Sequence, residues 1–135
     1  MALGVRTYPI MSKPGLKLLD RNKPRDFVEV LKKADLDENV RGRLLRAEGC
    51  AANWLEALPV FAAAVTAGNS AGVSPLIMNC LSIGWLISRL LYTYVYVIWQ
   101  ANEVLGPNEA PTRFKVWAVG ATLAMSMFIL AGRQA

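Results

Sequence analysis

Residues 46–61 read RAEGCAANWLEALPVF. They open the first long apolar segment, yet they carry Arg46, Glu48, Asn53 and Glu56. Everything around them is segregated by charge. Up to Arg46 the chain holds eleven Lys/Arg and six Asp/Glu, whereas between Ala57 and Asn102 the only charged side chain is Arg89. A soluble helix alternates polar and apolar faces; this run does not. The chain is therefore a basic head joined to a membrane-like body, and its fold class is all-α, an integral membrane helical bundle.

Working outward from this stretch gives three transmembrane helices. The first apolar run is Ala47–Ala67, twenty-one residues. At about 1.5 Å per residue this covers a hydrocarbon core of about 30 Å. Pro59 lies inside it, where a kink is expected. An uncharged turn, Gly68–Gly72, follows. The second span is predicted over about 75–101, with Pro75 at its start, and the third over about 113–132. Arg113, Lys115 and Trp117 read as interface anchors there.

Upstream, residues 1–19 are broken by Arg6, Pro9, Lys13 and Pro14 and read as an irregular arm. Residues 20–135 then form a single membrane domain. A short amphipathic helix is predicted from Phe27 to Ala34, capped by Asp26, and a new start falls at Glu38 or Asn39. Three spans put the two ends on opposite sides. The basic head is expected in the cytosol by the positive-inside rule.

The composition excludes several chemistries. The chain has no His, which removes His-based triads and His metal ligands. Cys50 and Cys80 lie in apolar runs at a spacing that suits no zinc site, so no metal is expected. The net charge of +5 does not point to nucleic acid, because the basic residues are mixed with acids and adjoin a span.

Polar residues at membrane depth are costly and usually face the bundle interior. Arg46, Asn53 and Glu56 are spaced seven and then three apart, so they share roughly one helix side with Gly49 and Cys50. Arg89, Tyr92 and Tyr96 form a second polar stripe on the next span. Glu56 and Arg89 are each the deep charge of their span, and an ion pair between them is expected. Two readings stand: a network that holds the bundle together, or part of a ligand site. Tyr92, Tyr94 and Tyr96 likewise read as an interface belt or as site residues.

The pattern Arg46-Ala47, then Asn53-x-x-Glu56-x-x-Pro59-x-Phe61, resembles the signature helix of the MAPEG family, the membrane proteins of eicosanoid and glutathione metabolism. Asn22-x-Pro24-Arg25, Arg89-x-x-Tyr92-x-x-x-Tyr96 and Arg113-x-x-x-Trp117-x-x-Gly120 are similar to its other motifs, in order. The resemblance implies a four-helix bundle fold, assembled as a homotrimer that binds glutathione between subunits near the cytosolic face. The family's first span has no counterpart in residues 1–19.

It further implies a glutathione transferase or peroxidase acting on a lipophilic small-molecule substrate from the lipid bilayer, with glutathione as cosubstrate. Asn53, Glu56, Arg89 and Arg25 would bind glutathione, Glu56 toward its amino group. Tyr92, Tyr96 and Arg46 would be catalytic. The membrane would be the endoplasmic reticulum in a eukaryote or the inner membrane in a bacterium. Two positions depart from the family pattern. Gly49 stands where members carry an arginine four residues before the asparagine, and Glu103 where they carry one seven residues after the second tyrosine. A catalytically inactive or truncated subunit with a structural or regulatory role is the alternative that Glu103 and the missing counterpart of the family's first span favour. A pore or transporter lacks the repeat or broken helices it would need.

Overall fold

The computed structural model describes residues 13–20, 22–103 and 109–134. Most of the arm expected over residues 1–19, and the centre of the loop holding Gly106 and Pro107, lie outside the described residues. In chain order the elements are α1 (Lys13–Leu18), a 3-10 turn (Pro24–Asp26), α2 (Phe27–Lys33), α3 (Glu38–Ser70), α4 (Pro75–Val97), a 3-10 turn (Trp99–Asn102) and α5 (Thr112–Gln134).

Helices α3, α4 and α5 are each long and apolar enough to cross a bilayer. They pack pairwise against one another. Each leaves most of its apolar surface outside the bundle; Leu76 is 73% exposed and Ile83 57%. Such apolar exposure is unfavourable in water and ordinary in lipid.

The cap of α3 is Asp37, one residue before the predicted start. Its Oδ1 accepts from the Asn39 and Val40 amides at 3.0 and 3.2 Å. An aspartate answers two orphan donors there and suits the positive end of the helix dipole. Asp26 stands at the N-cap of α2 but makes no side-chain bond to it. Phe27 and Leu31 of α2 bury against Leu44, fastening the head to the first turns of α3.

α3 runs continuously through Pro59, which is exposed. It ends in a Schellman motif. Val73 N–H donates to Gly68 O at 3.0 Å and Gly72 N–H to Asn69 O at 3.1 Å. Gly72 has φ +74°, the left-handed conformation that this cap requires. Val73 is buried beside Ala64, Met78 and Met127, which closes this end of the bundle.

The other half of the core is aromatic. Trp85 stacks on Phe61 at 4.0 Å and meets the edge of Trp54 at 5.9 Å. Trp85 lies one helical turn before Arg89, and Trp54 is the residue after Asn53.

Candidate functional site

Arg89 is the centre of the arrangement. It is 1% exposed, in the middle of α4. Its Nη1 donates to Asn53 Oδ1 at 3.3 Å and its Nη2 to the Trp117 carbonyl at 3.2 Å. The guanidinium carbon lies 5.6 Å from the Trp85 ring centroid and 5.3 Å from that of Tyr92. One side chain therefore ties all three spans together. Its Nε is buried with no hydrogen-bond partner among the described residues.

The expected Glu56–Arg89 ion pair is not what forms. Glu56 is exposed, and the acceptors that meet the guanidinium are a side-chain amide and a backbone carbonyl. The reason is rotational. Asn53 and Glu56 differ by three residues, so Glu56 sits about 60° round α3 from the residue that faces Arg89. That turns Glu56 from the helix interface to its edge.

The glycine of the last motif explains how Arg89 fits. A Cβ on Gly120 would stand 2.6 Å from Ser88 Oγ and 3.0 Å from the Arg89 guanidinium carbon, and closer still to Nη2. Gly120 clears the space in which the guanidinium reaches the backbone of α5.

Asn53, Glu56 and Arg89 line one cleft of roughly 200 Å³, between α3 and α5 with α4 as its floor. Trp85, Trp117 and the alanines Ala57, Ala121 and Ala124 form most of the rest. Tyr92, Tyr96 and Arg46 are not among its lining residues. They gather on the Tyr92 side of Arg89, nearer the head. Tyr92 is buried and Tyr96 half-buried, with ring centroids 5.6 Å apart. Tyr94 points outward and is 59% exposed, so it alone of the three fits an interface belt. Arg25 is exposed on the first 3-10 turn and is not among the cleft residues.

Arg46 donates from Nε and Nη2 to the Val97 carbonyl, both at 3.4 Å. Val97 ends α4, so this carbonyl has no partner within the helix, and the arginine caps it. Gly49 has an equally concrete role. A Cβ there would lie 2.9 Å from the Tyr96 hydroxyl. The space that an arginine side chain would start from is the seat of that hydroxyl.

Glu103 also acquires a definite place. Its Oε1 accepts from the Thr112 amide at 2.8 Å and from the Thr112 hydroxyl. It thus ties the loop to the first residue of α5. These hydrogen bonds, the side-chain one foremost, hold its carboxyl below the usual glutamate value, with Lys115 and Arg113 adding to the effect.

Three contributors were not read as site residues from sequence. Trp85 lies four residues before Arg89 and extends the Arg89–Tyr92–Tyr96 stripe by one turn, a periodicity that could have found it. Arg113, read as an interface anchor, lies over the Tyr96 ring at 4.6 Å. Thr93 Oγ1 accepts from Trp54 Nε1 at 2.9 Å; no motif marks it.

Three apolar spans joined by a buried arginine at mid-depth define a polytopic helical membrane protein with a polar node inside its bundle. A sequence model of the MAPEG family matches residues 2–133, and the chain belongs to that family. It is an integral membrane protein. The match begins well before Asn22, the first residue of the motifs that carry the resemblance. No curated protein and no solved structure compared with the chain matches it.

Proposed function

We propose that the chain binds glutathione at the Asn53–Glu56–Arg89 cleft and uses it as a transferase or peroxidase toward lipophilic electrophiles arriving from the bilayer. One observation carries this reading. The Asn53 amide, held by Arg89 at 3.3 Å, and the Glu56 carboxylate line the same cleft. Glu56 is unencumbered by Arg89 and can receive an ammonium group. Asn53 offers a fixed amide to a peptide backbone.

The sulfur would lie outside the cleft lining, on the Tyr92 side of Arg89, where Tyr92 and Tyr96 would donate hydroxyl hydrogen bonds to it with Arg46 as the nearby cation. The thiol would give its proton to water, and the thiolate would attack the electrophilic carbon, the leaving group departing with the bonding pair. Toward a peroxide the thiolate would attack an oxygen, and the alkoxide would leave and take up a proton. A second glutathione would then reduce the sulfenic acid, giving disulfide and water. Holding both reactants in one place supplies much of the acceleration. Clefts that bury a drug-sized ligand are typically about 300–1,000 Å³. A cleft of roughly 200 Å³ holds part of a tripeptide. In the proposed homotrimer a neighbouring copy completes the site, and Arg25 would contribute from the head. The membrane would be the endoplasmic reticulum in a eukaryote and the inner membrane in a bacterium.

A second reading, a catalytically inactive family subunit, is favoured by Glu103. Its carboxylate stands at a position where the family resemblance expects a cation, and it is engaged with Thr112. Glutathione titration and turnover of a generic electrophile decide between them, using purified protein in lipid nanodiscs with and without Glu56→Gln. The proposal expects binding and turnover by the wild type, and binding at least tenfold weaker in the variant. Wild-type protein that binds glutathione without turnover supports the inactive subunit. Wild-type protein that does not bind overturns the glutathione reading.

A further inference from the structure

The Thr93 hydroxyl sits between the two stripes and is used to capacity. It donates to the Arg89 carbonyl one turn back at 2.9 Å. With its single proton committed there, both lone pairs face α3. One accepts from Trp54 Nε1 at 2.9 Å and the other from the Cys50 thiol at 3.6 Å. A hydroxyl has one donor and two acceptor positions, and all three are filled.

Its neighbours make this placement consequential. Trp54 follows Asn53 directly, and Thr93 follows Tyr92. Arg89 lies four residues before Thr93, and Tyr96 three after. Trp54 is buried, packed edge-on against Trp85. Its indole is therefore a rigid arm of α3, and its N–H has to find an acceptor inside the bundle. Among the described residues, the polar contacts between α3 and α4 include Arg46–Val97, Asn53–Arg89 and the Trp54/Cys50–Thr93 pair. The first two involve long, flexible side chains at 3.3–3.4 Å. The third combines a shorter bond with two short or rigid side chains.

We infer that Thr93 is a positioning residue: its hydroxyl fixes the rotation of α4 against α3, and so presents Arg89, Tyr92 and Tyr96 to the Asn53 side of the site. Its bearing on ligand binding rests on the glutathione reading; its bearing on helix rotation does not. Thr93→Val keeps the shape and removes the hydroxyl. Trp54 Nε1 is then left buried without this acceptor, and one of the ties that set α4 against α3 is lost. Thr93→Ser restores the hydroxyl and tests whether the hydrogen bonds, rather than the methyl group, do the positioning.

The test uses the full chain in nanodiscs, in a Cys80→Ser background, with spin labels at Ala52→Cys and Tyr94→Cys. Both positions are exposed, while Cys50 is buried and stays unlabelled. The inter-label distance distribution is expected to broaden or shift in Thr93→Val and to return to the parental one in Thr93→Ser. An unchanged distribution in Thr93→Val overturns the inference, whatever glutathione does. Where the wild type binds glutathione, Thr93→Val is expected to weaken binding or lower kcat by tenfold or more, and Thr93→Ser to recover it. Misplacement of about 1 Å can cost about 100-fold. If the wild type binds no glutathione, the glutathione reading falls and the distance measurement alone decides on Thr93.

Discussion

At the scale of single residues, the polar groups in the spans divide the work differently from their spacing. Among the described residues, no carboxylate pairs with Arg89. Its charge is met by an amide oxygen, a backbone carbonyl and two ring faces. Such partners reduce the cost of a buried cation without creating a pair that would have to be broken for Glu56 to act. Gly120 is the permissive residue. Gly120→Ala is expected to push the guanidinium off the Trp117 carbonyl and destabilise the bundle by about 2 kcal/mol or more, read as a lowered unfolding midpoint in detergent. An unshifted midpoint would show that the guanidinium has room to move. Gly49→Ala is expected to displace the Tyr96 ring while leaving the Arg89 contacts in place, so it should weaken the proposed glutathione binding while leaving the midpoint little changed. The stripes themselves were legible, because 3.6-residue periodicity places Asn53 and Arg89 on facing sides. The partner was not. Sequence lists charges, and it paired the two that were alike in depth. Backbone carbonyls such as that of Trp117 carry no sequence signal.

At the scale of elements, the helix ends follow known chemistry, and one of them is pH-sensitive. Glu103 satisfies the Thr112 amide, a donor left without an intrahelical partner at the start of α5. Its folded pKa lies below the ordinary glutamate value of 4.5. The stabilisation from this contact is therefore fully present above that value and is lost as pH falls through the lower folded one. Hydrogen exchange at the first turn of α5, corrected for intrinsic rate, is expected to accelerate as pH drops below about 4.5. Glu103→Gln should remove most of that dependence. A pH-independent first turn would mean that the carboxylate does not secure the helix start. From sequence, Glu103 stood out as an absent cation. Its role as a loop tie depends on a nine-residue reach to Thr112 that no local rule encodes. The Gly72 cap, by contrast, lies in a stretch readable as a turn, since glycine alone adopts positive φ freely.

At the scale of the whole molecule, the segregation of charge that marks the spans also sets their orientation. The head, the end of α4 and the start of α5 share one end of the bundle, and the Gly72–Ser74 turn lies at the other. Eleven basic residues precede Ala47, whereas the turn carries no charge. Moving that head across a bilayer is unfavourable, and by the positive-inside rule it is expected in the cytosol. The three-span reading then requires the turn to face the opposite compartment. Asn39 and Ser74 are both exposed and stand at opposite ends of α3 and its turn. In a Cys80→Ser background, Asn39→Cys and Ser74→Cys are introduced one at a time into sealed vesicles of known orientation. A membrane-impermeant thiol reagent applied from the non-cytosolic side is expected to label Ser74→Cys alone, and Asn39→Cys only after the vesicles are opened. Labelling of both from one side would mean that α3 does not cross. Labelling of Asn39→Cys alone would mean that the bundle is inverted, placing the Tyr92–Tyr96–Arg46 cluster at the wrong face for cytosolic glutathione.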